Sequence, residues 1–303
     1  MDAVLALKLA IRLGFFLGMF ALVGLWEAVA PRRPRSFSRW ARWPSNLAIV
    51  ALNTAVLRLA FPIAAVGMAV IAAERGWGVF NLVALPALVK VALAVAALDF
   101  AIYLQHVMVH AVPALWRLHH MHHTDLDFDV TTGARFHPLE IILSMGIKLA
   151  VVALLGAPPV AVIVFEVLLN ATAMFNHGNV ALPPMIDRAL RWIVVTPDMH
   201  RVHHSVHPDE TNSNFGFNLP WWDRLLGTYR AQPADGHEAM TIGINFFRTA
   251  RDLRFDRMLI QPFRGTVGGY PINRLPFGAV ESMVKPAVAT PKRPAEPATP
   301  PET

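Results

Sequence analysis

The chain contains no cysteine. That removes disulfides, thiolate metal sites, iron–sulfur clusters ligated by this chain and a cysteine nucleophile. Charge is scarce as well: Asp, Glu, Lys and Arg make up 16% of the 303 residues, against about a quarter in a soluble domain. Hydrophobic residues reach 54%, and the two figures together predict an integral membrane protein. There is no dinucleotide-binding glycine fingerprint, no HPGG-type haem segment and no HExxH, so neither a built-in electron carrier nor a common zinc-hydrolase motif is encoded. The net charge is +6, but Arg32, Arg33, Arg35, Arg39 and Arg42 crowd between two apolar runs. That placement suits a cytoplasmic juxtamembrane loop better than a nucleic-acid groove, so no nucleic-acid partner is expected.

Long apolar runs dominate the first half. Residues 13–30, 47–73 and 85–105 are each long enough to cross the hydrocarbon as a helix, which takes about 20 residues. Two further runs, 141–156 and 158–175, join at Gly156-Ala157-Pro158-Pro159 as a helical hairpin that either crosses twice or dips. The first run is too long and bulky for a signal h-region, and no small-residue cleavage site follows it. The fold expected is all-α: about three spans plus the hairpin, carrying a histidine-rich cytoplasmic helical region. Its parts are N-terminal spans over 1–84 with a basic loop at 31–45, a catalytic region over 85–265, and a C-terminal tail over 266–303. The tail is expected to be disordered from about residue 284, where Pro, Ala and charge dominate. With the basic loop in the cytoplasm, the third span and the hairpin both return the chain to that side. All histidine clusters then share one aqueous face.

Those clusters are "HVMVH" (His106, His110), "HHMHH" (119–123) and "HRVHH" (His200, His203, His204). Helical residues at i, i+3 and i+4 share a face. His106 and His110 are i and i+4, while His119, His122, His123 and His200, His203, His204 repeat i, i+3, i+4. In each triad a pair on adjacent turns serves one ion and the remaining histidine reaches its neighbour. One zinc or iron takes four to six ligands, so eight imidazoles imply two metals. A structural zinc would need only four ligands, usually with cysteine among them, so iron is favoured, with zinc as a possible substitute in purified protein. His120 falls off the shared arc and is read as a supporting or structural residue. A lone histidine is more often core or surface than ligand, and His237 is read that way.

The pattern H-x3-H, H-x2-HH and a distant H-x2-HH resembles the fatty acid hydroxylase/sterol desaturase superfamily of membrane di-iron oxygenases. "LWRLHHMHHT", "ARFHPLE", "TPDMHRVHHS" and "ETNSNFGFNLPWWDRLLGTY" are similar to signatures of that family, over roughly residues 95–265. Eight residues separate His110 from His119, similar to the alkylglycerol monooxygenase and sterol-desaturase-like branch. The resemblance implies that His106, His110, His119, His122, His123, His200, His203 and His204 are iron ligands. It also implies that His177, in "FNHGN", is a further ligand. The activity implied is hydroxylation or desaturation of an unactivated C–H bond of a sterol, fatty acyl or ether lipid, using O2. Electrons must come from a separate reductase, cytochrome or ferredoxin, or from a pterin if the alkylglycerol-type likeness holds.

Metal-bound histidines usually donate their other ring N–H to a carboxylate or carbonyl. Asp99, two turns before His106, is one candidate; Glu166 is another, with pairing to Lys148 an equally good reading. His137 in "RFHPLE" and His207 are further supporting candidates, and a ligand role for His137 stays open. Asp125, Asp127 and Asp129 read as a solvated loop, with Asp125 or Asp198 as a candidate to orient a ligand. Asn214 and Asp223 have no role derivable from the sequence. "WWDRLLG" is expected at the headgroup level, where Trp is favoured. The localisation expected is a bacterial inner membrane or, in a eukaryote, the endoplasmic reticulum. Two other classes compete: a histidine-rich membrane transporter or sensor, which would line its spans with the histidines, and a zinc-dependent membrane hydrolase, which normally carries HExxH.

Overall fold

The computed structural model describes residues 2–273, with side-chain environments from residue 13 onward. The protein is a helical membrane protein, and among the described residues there are no strands, only two isolated bridges. The long helices are α1 (Asp2–Val29), α2 (Arg39–Ala60), α3 (Ala65–Arg75), the single turn α4 (Val79–Leu82) and α5 (Ala87–Ala111). They continue with α6 (Pro113–His123), α7 (Pro138–Leu155) and α8 (Pro159–Asn176). Shorter helices follow: α9 (Pro184–Leu190), α10 (Pro197–His203), α11 (Pro208–Thr211), α12 (Trp221–Leu225), α13 (Gly236–Ala239) and α14 (Phe255–Ile260). Helices α6 to α11 all open on a proline. Proline suits that first-turn position because its fixed φ is already helical and its missing N–H would have had no partner there.

Four stretches are long and apolar enough to cross a membrane: Arg39–Leu82, Ala87–Ala111, Pro138–Leu155 and Pro159–Asn176, with Leu13–Val29 a shorter one. The packing between them is that of helices in lipid. Small residues face inward, with Ala65, Ala69, Ala94 and Ala161 fully buried, while Leu59, Leu88 and Leu154 point outward. Without a hydrophobic drive between helices, close backbone approach through alanines supplies the dispersion contacts. Each hairpin arm has 18 residues, about 27 Å at 1.5 Å per residue, close to the thickness of the hydrocarbon. Gly156 turns between them in the left-handed region (φ 61°).

Two expectations are corrected. The run 47–73 is not one helix: Pro62 cannot donate a backbone N–H, Phe61 is extended, and α2 and α3 separate there. The basic loop ends at Ser38, whose hydroxyl caps α2, so Arg39 and Arg42 lie on a helix. Of the tail expected from 266, residues 266–273 pack back on the junction of α5 and α6. Tyr270 is buried and Ile272 N–H donates to the His110 carbonyl. The remainder, including the disorder expected from about 284, lies outside the described residues.

Candidate metal centre

Pro113 ends α5 by denying it a further hydrogen bond, Val112 is extended, and α6 starts in a new direction. The break folds the α6 histidines back onto those at the end of α5. His177 is the C-cap of α8. Thr196 caps α10 by accepting from Met199 N–H, and α10 brings His200 and His203, with His204 as its C-cap. Nine histidines thus meet from four helix ends.

They form two groups, each with its ligand atoms within 4.8 Å of one another: His106, His110, His119, His123 and His203, and His122, His177, His200 and His204. In each triad the i, i+4 pair stays together (119 with 123, 200 with 204) and the remaining histidine crosses to the other group. The two centres are therefore interlocked through α6 and α10.

The outer ring nitrogens are anchored. His106 Nδ1 donates to the Phe215 carbonyl (2.8 Å), His203 Nδ1 to the Ser213 carbonyl (2.7 Å) and His177 Nδ1 to the Ala173 carbonyl (2.8 Å). A carbonyl only accepts, so these rings carry their proton on Nδ1 and present a lone pair on Nε2. His119 Nδ1 meets Glu140 Oε1 at 2.6 Å and His110 Nδ1 meets Asn212 Oδ1 at 3.1 Å. The inward Nε2 atoms of His106, His110, His119, His203 and His204 are buried without a hydrogen bond, as are both nitrogens of His123. In the second group, Nε2 of His177 lies 3.2 Å from Nε2 of both His122 and His200. That spacing suits nitrogens about 2.0–2.1 Å from a shared ion. Burial, reinforced by the neighbouring imidazoles, holds His122, His123, His200, His203 and His204 well below the ordinary imidazole range. Burial also brings His177 down to about 4. Neutral, converging and otherwise unpaired, these nitrogens fit two metal ions; five-plus-four imidazole donors suit first-row metals, iron and zinc among them.

The supporting residues fall differently from expectation. Asp99 touches no histidine; it accepts from Asn218 and Leu219 N–H and from the Trp222 indole (2.8 Å), and so fixes the chain beyond Phe217. His207 is half-exposed against Asp235 (2.9 Å), because Pro208 starts a new helix beside it. His137 caps α7 through Nδ1 and meets the Leu259 carbonyl through Nε2, outside both groups. His120 is buried between Trp116, Phe246 and Phe247, also outside both groups. Glu166 pairs with Lys148 at 3.8 Å. The loop of Asp125, Asp127 and Asp129 is not solvated: the first and third clamp the buried Arg42 guanidinium, and Asp127 accepts from Ser36 and Phe37 N–H. Asp198 pairs with Arg201 and Arg32, and the histidine it meets, His237 at 3.7 Å, lies outside both groups. His237 is buried and lies outside both groups.

Four anchors of the first group escaped the sequence reading. Glu140 was in view within "ARFHPLE", three residues past His137. Asn212 and the carbonyls of Ser213 and Phe215 belong to "NSNFGF", and a backbone acceptor leaves no side-chain signal. Asn214 and Asp223 acquire a role here. Asn214, at φ 51°, ties this loop to Met199 and Arg230, and Asp223 accepts from Phe215 and Gly216 N–H.

A helical membrane protein with two interlocked all-histidine centres is thereby defined. Residues 91–228 match the fatty acid hydroxylase family model, so this stretch is similar to the fatty acid hydroxylase/sterol desaturase superfamily. It is 32% identical over 148 residues to an ornithine lipid hydroxylase of Rhizobium tropici, covering 49% of this chain and 44% of the relative. It is 28% identical over 154 residues to the alkylglycerol monooxygenase of Xenopus tropicalis (49% and 32% covered). With human cholesterol 25-hydroxylase the identity is 26% over 135 residues (44% and 48%). The matched stretch spans under half of each relative. No solved structure matches.

Proposed function

We propose that the protein is a membrane-bound di-iron oxygenase that hydroxylates a lipid, with O2 and an external electron donor. The observation that carries this reading is the convergence of nine buried histidines in two groups beside an apolar chamber. The chamber, about 290 Å³, lies between α2, α5, α7 and α8; Leu57, Ile102, Ile141, Leu169 and Phe217 line it, and His106 and His119 form part of its wall. An acyl or alkyl chain entering from the bilayer would bring a C–H bond against the first histidine group.

Two irons held there would supply activation of O2 and removal of hydrogen from an unactivated carbon. The net reaction consumes the C–H substrate, O2, two electrons and two protons and releases the alcohol and water. His106, His110, His119, His123 and His203 would hold one iron, and His122, His177, His200 and His204 the other. The Nδ1 anchors set each ring's orientation and leave Nε2 as donor. Phe136, stacked on His122 with centroids 4.5 Å apart, and Phe217 keep water from the site. The names of the relatives, hydroxylases and a monooxygenase acting on lipids, favour hydroxylation over desaturation. The basic residues around α2 support a cytoplasmic site, where an acidic electron carrier would be drawn by charge.

Metal analysis after anaerobic purification tests the centre: two irons per chain are expected, and one ion or none overturns the reading. Lipid profiling of a deletion strain against its complemented counterpart tests the reaction. Complementation should restore a lipid heavier by one oxygen, and an unchanged profile argues against hydroxylation.

A further inference from the structure

A second cavity lies away from the two histidine groups, against the outer side of α10. It encloses about 680 Å³ and is lined by Arg32, Arg188, Arg191, Trp192, Arg224 and His237, with Asp187 and Asp198 as its acids. The acids are already engaged. Asp187 accepts from the Thr196 hydroxyl (2.6 Å) and pairs with Arg191 Nε (2.6 Å), while Asp198 holds Arg201 and Arg32. Arg32 also pairs with Glu238.

Positive charge is left over. Among the described residues, neither Arg188 nor Arg224 has a carboxylate partner, and Arg188 is exposed. The Arg224 guanidinium is sandwiched between Trp192 and Tyr229, 4.1 and 4.0 Å from their ring centres, so its position is set in advance. Arg191 is 4% exposed, yet its Nη2 makes no hydrogen bond; His237 is 6% exposed and makes none through either nitrogen, with the Asp198 carboxylate 3.7 Å from its Nε2. Buried donors without acceptors are costly unless a ligand completes them. The opposite sign of charge, an anion, is what they would accept.

The rim indicates the source of the anion. Met185, Ile193, Trp221, Leu225 and Leu226 are exposed around the arginines. Tryptophan and leucine beside arginine is the composition of a surface lying at the headgroup level of a bilayer, whereas a soluble protein partner would meet a polar rim.

We propose that this cavity binds the anionic headgroup of a membrane phospholipid, with Arg188, Arg191 and Arg224 on the phosphate and the apolar rim against the acyl chains. Through Asp187 and Thr196 the site touches the cap of α10, so an occupied site also steadies the helix that carries His200 and His203.

Native mass spectrometry of the detergent-purified full chain, offered equal phosphatidylglycerol and phosphatidylcholine, reads this directly. Wild type should retain phosphatidylglycerol preferentially. Two unneutralised arginines at about 1 kcal/mol each predict that Arg188→Gln with Arg224→Gln lowers retention on the order of tenfold or more. Arg251→Gln, an exposed charge elsewhere, should leave it unchanged, and Arg188→Gln alone gives a partial loss with no packed side chain removed. Equal retention of the two lipids overturns the proposal, as does undiminished retention by the double variant. Binding of inorganic phosphate with no preference between the lipids also overturns it, and so does loss of an acidic carrier protein's binding without loss of phosphatidylglycerol. The result is independent of the metal count, because these arginines lie outside both histidine groups.

Discussion

Glu140 Oε1 lies 2.6 Å from His119 Nδ1, and both side chains are buried. The carboxylate comes from the first turn of α7, a helix that otherwise faces the apolar bundle. It is the acid that meets a histidine of the first group from across the fold, where it sets the ring and makes its inward nitrogen a stronger donor. Glu140→Ala should therefore lower metal affinity at the first group by about 10–100-fold while leaving the second group loaded. A chelator titration followed by metal analysis checks this; unchanged retention of both ions would show that the anchor is dispensable.

His120 and His122 are separated by one residue yet face opposite ways. His122 Nε2 points at His177, while His120 packs on Phe246 and Phe247. His122→Ala should cost one ion per chain and abolish activity. His120→Ala should keep two ions and reveal itself chiefly as lowered stability, by roughly 1–3 kcal/mol for a partly refilled cavity. Equal metal loss in both variants contradicts the division of faces.

Much of this site was legible because helical spacing is a local property. The i, i+3, i+4 triads are written in the chain, and His120 falls off the arc of its neighbours by rotation alone. What was not legible depends on partners distant in sequence. Asp125 and Asp129 read as a polar loop until Arg42, more than 80 residues away, is seen between them. Burial alone would raise the Asp125 carboxyl, but Arg42, with Arg135, outweighs it and holds it at about 2. Asp99 has the periodicity of a residue facing His106, yet a carboxylate takes the nearest donors, and these are Asn218, Leu219 and Trp222. The apolar runs disclosed the spans, but the break at Pro62 was masked by the hydrophobicity on both sides.

His237 gives the stability a defined pH dependence. Burial holds its imidazole at about 4, below the usual 6.5, despite the attraction of Asp198. The unfolded chain takes up a proton below 6.5 while the folded protein resists it until about 4. This contribution to stability is therefore present above pH 6.5 and is lost as pH falls towards 4. In metal-loaded protein, thermal unfolding across that window should lose about one proton's worth of slope when His237 is replaced by Gln. An identical slope in the variant means that other groups carry the dependence.

Gly133 has no room for a side chain. A Cβ built there would sit 2.5 Å from the Ala173 carbonyl oxygen and 3.1 Å from His177 Nδ1. That carbonyl is the acceptor that anchors His177, at 2.8 Å, so the close approach of the 132–134 turn to α8 and the orientation of His177 depend on the same few atoms. Gly133→Ala must push the carbonyl or the imidazole aside. Overpacking of this kind costs about 1–3 kcal/mol, and here the strain falls on a metal-facing ring. The variant should keep the ion of the first group and bind the second about 10–100-fold more weakly, giving close to one ion per chain at limiting metal. Thermal unfolding measured alongside separates this from general loss of fold: a modest drop in Tm with one ion lost supports the coupling. Two ions held at wild-type affinity would show that α8 can move away without disturbing His177.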